Sequence, residues 1–491
     1  MAQFPRSQQP RAFGRRRLHA IDDRTSCVAR FPLRYPVPTS KNLRTARALP
    51  LRTRSTFIER LEAYFRFHEH QTSWRTELLA GLTTFITMAY IIFVNPAILS
   101  QTGMPLAAVT TSTCLCAAFG SILMGLLANY PLALAPGMGL NAYFTYTVVK
   151  GMHVPWQTAL GAVFLSGIIF LLLTIGGIRQ RLVAAIPHQL HAAVAGGIGL
   201  FIAFIGLVNS GLIIRSNATT VTLGDLHQHA PQLAIFGILL IAILQAYRVK
   251  ASMLIGVLGT LALGILLHQV KYTPSTFNPL AIRATAFHLD IRGALHLNAL
   301  EIIFVFLFVD LFDNIGTLVA VTERAGLIAE DHTIPRLDKI FFADATSTVI
   351  GALAGTSTVT SYIESSAGVA AGGRTGVTAI TTGLLFLAAI FIAPIVGAIP
   401  DFATAPALIL VGALMLGGVS SIDWDSPRIA IPAFLTLITI PLTYSIATGL
   451  SFGIISFAVL EVATGRARRQ HWMLYLLALI FLFRFIYLHA A

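Results

Sequence analysis

Three carboxylates interrupt the most apolar stretches of this sequence: Asp310 and Asp313 in FVFLFVDLFDNIGTL, and Glu364 in TSTVTSYIESSAGVAAGG. An acid at mid-bilayer costs about 2.5–3.5 kcal/mol on insertion scales, so it is retained where it faces protein or a wet cavity. Such residues mark ion or substrate paths. Asp310 and Asp313, three residues apart, share one helix face, and Asn314 and Thr317 extend the polar stripe. A structural hydrogen-bond network between packed spans is the competing role for that stripe. A carboxylate that meets the two sides of a membrane in turn can also carry a proton between them.

Two nearby segments cannot be continuous helices. In PLALAPGMGLNAYF the run Pro136-Gly137-Met138-Gly139 lacks a backbone donor and is conformationally loose. Leu132 to Ala135 is expected to be extended, and Asn141 to open a half-helix. In GTSTVTSYIESSAG, the β-branched Thr356, Thr358, Val359 and Thr360 predict a strand, and Ser361 to Glu364 has the S-x-x-E spacing of a capping box. Glu364 therefore has a second reading, as a group that only satisfies backbone N–H. Irregular backbone at membrane depth survives where protein or a wet cavity satisfies it, so the two strands are expected to pair and to aim two helix N-termini at one pocket. A carboxylate beside an amide suits a flat, neutral ligand with donors and acceptors on its edge, with Phe85, Tyr90 or Phe144 to stack on it.

The elements that must hold these residues follow from composition. With 55% hydrophobic and 11% charged residues and a mean hydropathy of +0.75, the chain reads as an all-α polytopic membrane protein. The formal charge of +13 imitates a nucleic-acid binder, but residues 1–60 hold 14 of the 34 bases and three of the 21 acids, leaving the body nearly neutral. No nucleic-acid partner is expected. Residues 1–55 read as a disordered basic arm, with a targeting peptide or an upstream extension as the other readings. Phe57, Leu61, Tyr64 and Phe65 predict an amphipathic lead-in helix over 56–77. Neither the three cysteines nor the 14 histidines form a metal-ligand pattern, and no disulfide or cofactor is expected.

Hydropathy divides the rest into a first repeat over 78–268, with spans near 78–99, 106–128, 131–149, 157–177, 189–208, 232–247 and 251–268. A polar connection over 269–298 leads to a second repeat over 299–465, with spans near 299–321, 340–355, 357–372, 377–398, 404–418, 429–447 and 449–464. Fusion of the last two is the alternative. The apolar stretch in 466–491 is either interfacial or a further crossing. An odd number of spans per half inverts the second half relative to the first, and the interrupted segments are the third of each half, segments 3 and 10. Basic residues, among them Arg179, Arg181, Arg248, Lys250, Arg324, Arg336, Lys339, Arg374 and Arg428, put the N-terminus in the cytoplasm.

Six segments carry a resemblance to a known family: GLTTFITMAYIIFVNPAIL (81–99), ALAPGMGLNAYFTY (133–146), GIGLFIAFIGL (197–207), FVFLFVDLFDNIGTL (304–318), DATSTVIGALAGTSTVTSYIESSAGVAAGGRTG (344–376) and PALILVGALML (406–416). Over roughly residues 57–465 the sequence resembles the AzgA-like purine permeases, a branch of the nucleobase-cation symporter-2 family. The resemblance implies 14 transmembrane segments in a 7+7 inverted repeat, with a core domain (spans 1–4 and 8–11) and a gate domain (5–7 and 12–14). It also implies elevator-type import of adenine, guanine or hypoxanthine by proton symport across the plasma or inner membrane, and a homodimer through the gate domain. Carried over by motif, Asp310 and Glu364 bind the base, Gly139 and Asn141 shape and orient the site, and Asp313, Asn314 and Ser361 support or couple it. The arm of residues 1–55 has no counterpart in that family. An intramembrane aspartyl protease would need aspartates on two facing helices and a GxGD loop, which this sequence lacks, so no enzyme is expected. An anion transporter or exchanger of the same fold is the alternative, and its pocket would be expected to lack a cluster of acids.

Overall fold

The computed structural model describes residues 57–176, 187–270, 278–328, 334–392, 396, 399–466 and 472–487. The arm expected over 1–55 and the loop holding Arg179 and Arg181 lie outside these residues. Short helices α1 (Phe57–Tyr64) and α2 (Phe67–His70) precede α3 (Trp74–Met88), α4 (Ile91–Leu99) and α5 (Leu106–Leu127). Strand β1 (Leu134–Pro136) follows, then the half-helix α6 (Met138–Ala142), which widens into a π-helical stretch over Tyr143–Gly151. Next come α7 (Trp156–Ile175), α8 (His188–Asn209), a hairpin of β2 (Ile213–Ser216) and β3 (Thr220–Leu223), α9 (His229–Ala246) and α10 (Ser252–Leu266). The second half holds α11 (Ile291–Ala294), α12 (Leu297–Ala325), α13 (Leu337–Ala354), β4 (Val359–Ser361), α14 (Ser365–Ala370) and α15 (Gly376–Ala389). It ends with α16 (Asp401–Met415), α17 (Pro427–Thr443), α18 (Ile446–Ala463) and α19 (Trp472–Tyr487).

Local chemistry sets many of these boundaries. Pro105, Pro155, Pro187 and Pro400 immediately precede α5, α7, α8 and α16, where the missing N–H of proline costs nothing. The lead-in is not one helix over 56–77. It breaks at Arg66, which adopts a left-handed conformation, and α3 begins inside that range at Trp74, capped by the Ser73 hydroxyl accepting from Thr76 N–H. Tyr444, at φ 51°, separates α17 from α18, so the two short spans are distinct helices. Among the described residues, eight helices are long and apolar enough to cross a membrane, and four shorter apolar helices accompany them. The molecule is a mostly helical, multi-pass membrane protein.

Helix packing sorts the spans into two groups. In one, α5 packs against α13 and α15, α7 against α12 and α13, and α3 against α15. In the other, α8 packs against α16 and α17, α9 against α10 and α16, and α17 against α18. Inside the first group β1 and β4 cross as an antiparallel pair, Leu134 opposite Ser361 and Pro136 opposite Val359. Two further bonds lengthen the ladder, Tyr362 N–H to the Ala133 carbonyl at 3.0 Å and Gly137 N–H to the Thr358 carbonyl at 2.9 Å. Gly355, at φ 88°, ends α13 and turns the chain toward β4; a Cβ there would lie 2.3 Å from Cβ of Thr285.

Each strand still has an outer edge, and an unpaired backbone group in a bilayer costs several kcal/mol. Side chains meet that demand. Ser121 on α5 accepts from Leu134 N–H (2.9 Å) and donates to the Leu134 carbonyl (3.1 Å). Thr348 on α13 accepts from Val359 N–H (3.2 Å) and donates to the Val359 carbonyl (3.0 Å).

A buried acid away from the cavity supports this group. Glu77 on α3 is fully buried and accepts from Thr72 Oγ1 (2.9 Å), Thr378 Oγ1 (2.6 Å) and the backbone N–H groups of Arg374 (3.0 Å) and Thr375 (3.3 Å). It thereby holds the N-terminal turn of α15, where Asn129 also accepts from Gly376 N–H at 2.6 Å. Glu77→Ala leaves those donors without an acceptor and should cost about 2 kcal/mol or more. The expected outcome is a clear fall in the melting temperature of the detergent-purified protein; an unchanged melting temperature would show that this cluster does not stabilise the fold.

Candidate functional site

A cavity of about 490 Å³ lies between the two helix groups. Its first wall is built by the broken segments, with Gly137, Met138 and Gly139 after β1 and Thr360 to Glu364 at the end of β4, joined by the α12 face carrying Asp313, Gly316, Thr317 and Ala320. These α12 positions recur at helical spacing, so one stripe faces the cavity. The opposite wall comes from α8, with His191, Ala192 and Ala195, and from α16, with Val411, Leu414 and Met415. Glu323, Gly417, Gly418 and Ser421 are exposed at one end and form the mouth. The titratable lining groups are Asp313, Glu364, Glu323, His191 and Tyr362, and no lysine or arginine is among them.

Glu364 sits where β4 becomes α14. It occupies the N-cap position without capping α14 by its side chain. Its carboxylate instead accepts from the Tyr90 hydroxyl at 2.6 Å. The S-x-x-E box read from the sequence is therefore not formed, because Ser361 is still in the strand ladder opposite Leu134 and its hydroxyl has no protein partner. The Thr360 hydroxyl is likewise buried without a protein partner. Both residues line the cavity, with their hydroxyl oxygens buried at its wall. Tyr362 crosses to the other repeat and donates to the Pro136 carbonyl at 2.5 Å, beside the start of α6.

The structure gathers Gly139, Asp313, Ser361 and Glu364 on this cavity and leaves Asp310, Asn141 and Asn314 off its wall. Asp310 lies three residues before Asp313, about 4.5 Å along the axis, and is not among the lining residues. It is 2% exposed. Asn314 is fully buried beside the lining stripe. Asn141 does not open α6. It stands within the half-helix and points into a buried network behind the strands, donating to Asn95 Oδ1 and accepting from Ser357 Oγ. Asn95 in turn donates to Thr113 (2.7 Å) and Thr356 (3.3 Å). This network ties α4, α5 and both broken segments together.

The expected stacking rings are elsewhere as well. Phe85 packs edge-on against Phe386 with centroids 5.1 Å apart, Phe144 lies against Phe306, and Tyr90 holds Glu364; Tyr362 is the aromatic residue on the wall. Gly139 faces α8 so closely that an added Cβ would lie 2.5 Å from Cγ2 of Ile198, so this glycine sets how near the two groups approach. Sequence reasoning did not single out Asn95, an amide in the apolar run IIFVNPAIL, although its polarity there was the available signal. Nothing local in sequence marked His191 or Met415 as lining residues.

Residues 75–452 match the Permease family model Xan_ur_permease. A putative permease, MJ0326, of Methanocaldococcus jannaschii is 52% identical over 429 residues, 87% of this chain and 98% of its own length. The guanine/hypoxanthine permease PbuG of Bacillus subtilis is 46% identical, covering 87% of this chain and all of its own, and the adenine permease AdeP of Escherichia coli is 44% identical, covering 88% and 97%. Among solved structures, murine Slc26a9, an anion transporter in the inward-facing state, aligns with a TM-score of 0.60 at 11% identity over 89% of this chain and 77% of its own. The transmembrane domain of the cyanobacterial bicarbonate transporter BicA aligns with a TM-score of 0.57 at 15% identity over 78% and 98%. These two likenesses concern the fold, whereas identity along nearly the whole length places the sequence: the chain belongs to the Permease family, among homologues named adenine and guanine/hypoxanthine permeases.

Proposed function

We propose that this protein imports purine nucleobases, adenine, guanine or hypoxanthine, by proton symport with alternating access. The observation that carries the reading is the lining of the cavity: Asp313 and Glu364 face it, two unpartnered hydroxyls accompany them, and no lysine or arginine lines it. That lining repels anions, which sets it apart from the anion-transporter reading that the fold alone would suggest. It suits a flat neutral ring carrying N–H donors and ring-nitrogen or carbonyl acceptors, and the volume accommodates a bicyclic base. Glu364, held by Tyr90, and Asp313 are the groups proposed to bind the base and exchange the coupling proton. Asp310, Asn141 and Asn314 then lie behind the wall, where Asn141 joins α4 to the second broken segment.

The two helix groups supply the moving parts in this reading. The group holding α3 to α7 and α12 to α15 is the core, and the group holding α8 to α10 and α16 to α18 is the gate. The mouth lies beside Glu323 and Ser421, close in sequence to Arg324 and Arg428, so the basic-residue rule turns it toward the cytoplasm. At the far end two hydrogen bonds join the groups, and in this reading they act as a polar latch. Asn209 at the end of α8 donates to the Tyr146 hydroxyl at 2.9 Å, and Thr147 donates to the Tyr444 carbonyl. His191 and Asn209 are 18 residues apart on one helix, about 27 Å, which separates mouth from latch by most of the bilayer core.

Uptake of labelled adenine, guanine and hypoxanthine into cells without their own purine permeases tests the proposal. Accumulation of at least one base, abolished by a protonophore, is expected; uptake of none, or full accumulation after the gradient collapses, would overturn it. Within the site, Glu364→Gln and Asp313→Asn should each reduce uptake by at least about tenfold at normal membrane abundance, the loss of one charge-assisted hydrogen bond being enough. Wild-type kinetics in either variant would remove that residue from the site. Asn209→Ala should loosen the latch, so that a cysteine placed at Val411 reacts faster with an impermeant thiol reagent added outside. An unchanged reaction rate would show that the Tyr146–Asn209 bond does not hold the outer side closed.

A further inference from the structure

We infer that Ser121 and Thr348 are positioning residues for substrate, acting through the strands. Each is a single hydroxyl that accepts from the N–H and donates to the carbonyl of one residue, Leu134 for Ser121 and Val359 for Thr348. Both are buried, and each lies on the helix before its strand, 13 residues ahead of Leu134 and 11 ahead of Val359. The arrangement is the same in both repeats, as though one clamp had been used twice.

The register shows where each clamp is felt. Leu134, held by Ser121, is paired across the ladder with Ser361, a residue of the cavity wall. Val359, held by Thr348, is paired with Pro136, which leads directly into Gly137 and Gly139 on the wall. Each repeat therefore fixes the depth and tilt of wall residues that the other repeat contributes. Neighbouring hydroxyls do not act in this way: Ser347, next to Thr348, donates to the Ala343 carbonyl of its own helix.

With either clamp removed, the strand pair keeps its ladder but loses its anchor to α5 or α13. The distance between Glu364 beyond β4 and Asp313 on α12 is then set less tightly. Loss of a clamp should thus weaken substrate binding rather than only reduce the amount of protein.

This inference rests on reading the cavity as the purine site. The test measures uptake kinetics of the full-length protein and four variants in permease-deficient cells, using whichever of the three labelled purines the wild type accumulates. Ser121→Ala and Thr348→Val should each raise KM by about tenfold, the effect of unpairing a buried backbone group. Thr348→Ser, which keeps the hydroxyl, should return KM to within a factor of about two of wild type. Ser347→Ala, whose hydroxyl bonds within its own helix, should leave KM unchanged. KM does not depend on how many molecules fold, so a fall in abundance does not obscure the result. Unchanged KM in Ser121→Ala and Thr348→Val, with only the maximal rate and abundance reduced, would overturn the inference and leave the hydroxyls a structural role. A Thr348→Ser variant as weak as Thr348→Val would overturn it too. If the wild type takes up no purine, the reading of the cavity fails instead, and purine uptake by the wild type separates the two failures.

Discussion

Backbone that leaves the helix inside a bilayer carries N–H and carbonyl groups that neither lipid nor absent water can satisfy. In this chain that demand falls on β1 and β4, and the surrounding structure answers it from three directions. The strands pair with each other, Ser121 and Thr348 close the outer edges, and Tyr362 reaches across to the Pro136 carbonyl. Once those groups are satisfied, the chain can expose side chains of irregular segments to a cavity without losing the fold. The Asn95–Asn141–Ser357 network serves the same end from behind.

The second consequence concerns how a shared fold acquires a different chemistry. The alignment with Slc26a9 and BicA shows that the helical framework is common to proteins whose names denote anion transport. In this chain Asp313 and Glu364 line the cavity with no lysine or arginine among the lining residues, and the Tyr90 hydroxyl donates to Glu364. Gly139 lets α8 come close, so the cavity is bounded by helices of both groups.

Much of this was legible in the sequence because strong local signals coincided. Pro136 between small residues and the β-branched run around Val359 broke the helical pattern, and charge stood out against an apolar background. The unread part depended on rotation and depth. Asp310 and Asp313 share a face at helical spacing, but only packing decides that Asp313 lines the cavity and Asp310 does not. Asn141 was visible as an intramembrane amide, yet its direction is set by Asn95 and Ser357, which lie 46 and 216 residues away. Ser121 and Thr348 were hidden because hydroxyls in apolar helices commonly bond their own preceding turn, as Ser451 does with Ala447. Glu77 immediately precedes the first expected span, and its buried role depends on the distant start of α15.

The central claim is that the cavity bounded by the crossing strands and the Asp313 face of α12 is where the base binds. A structure of the protein with a bound purine tests it most directly. The base is expected between Glu364 and Asp313, within hydrogen-bond distance of Thr360 or Ser361, with Asp310 and Asn141 out of contact. A base seated against Asp310 or Asn141, or bound outside this cavity, would contradict it.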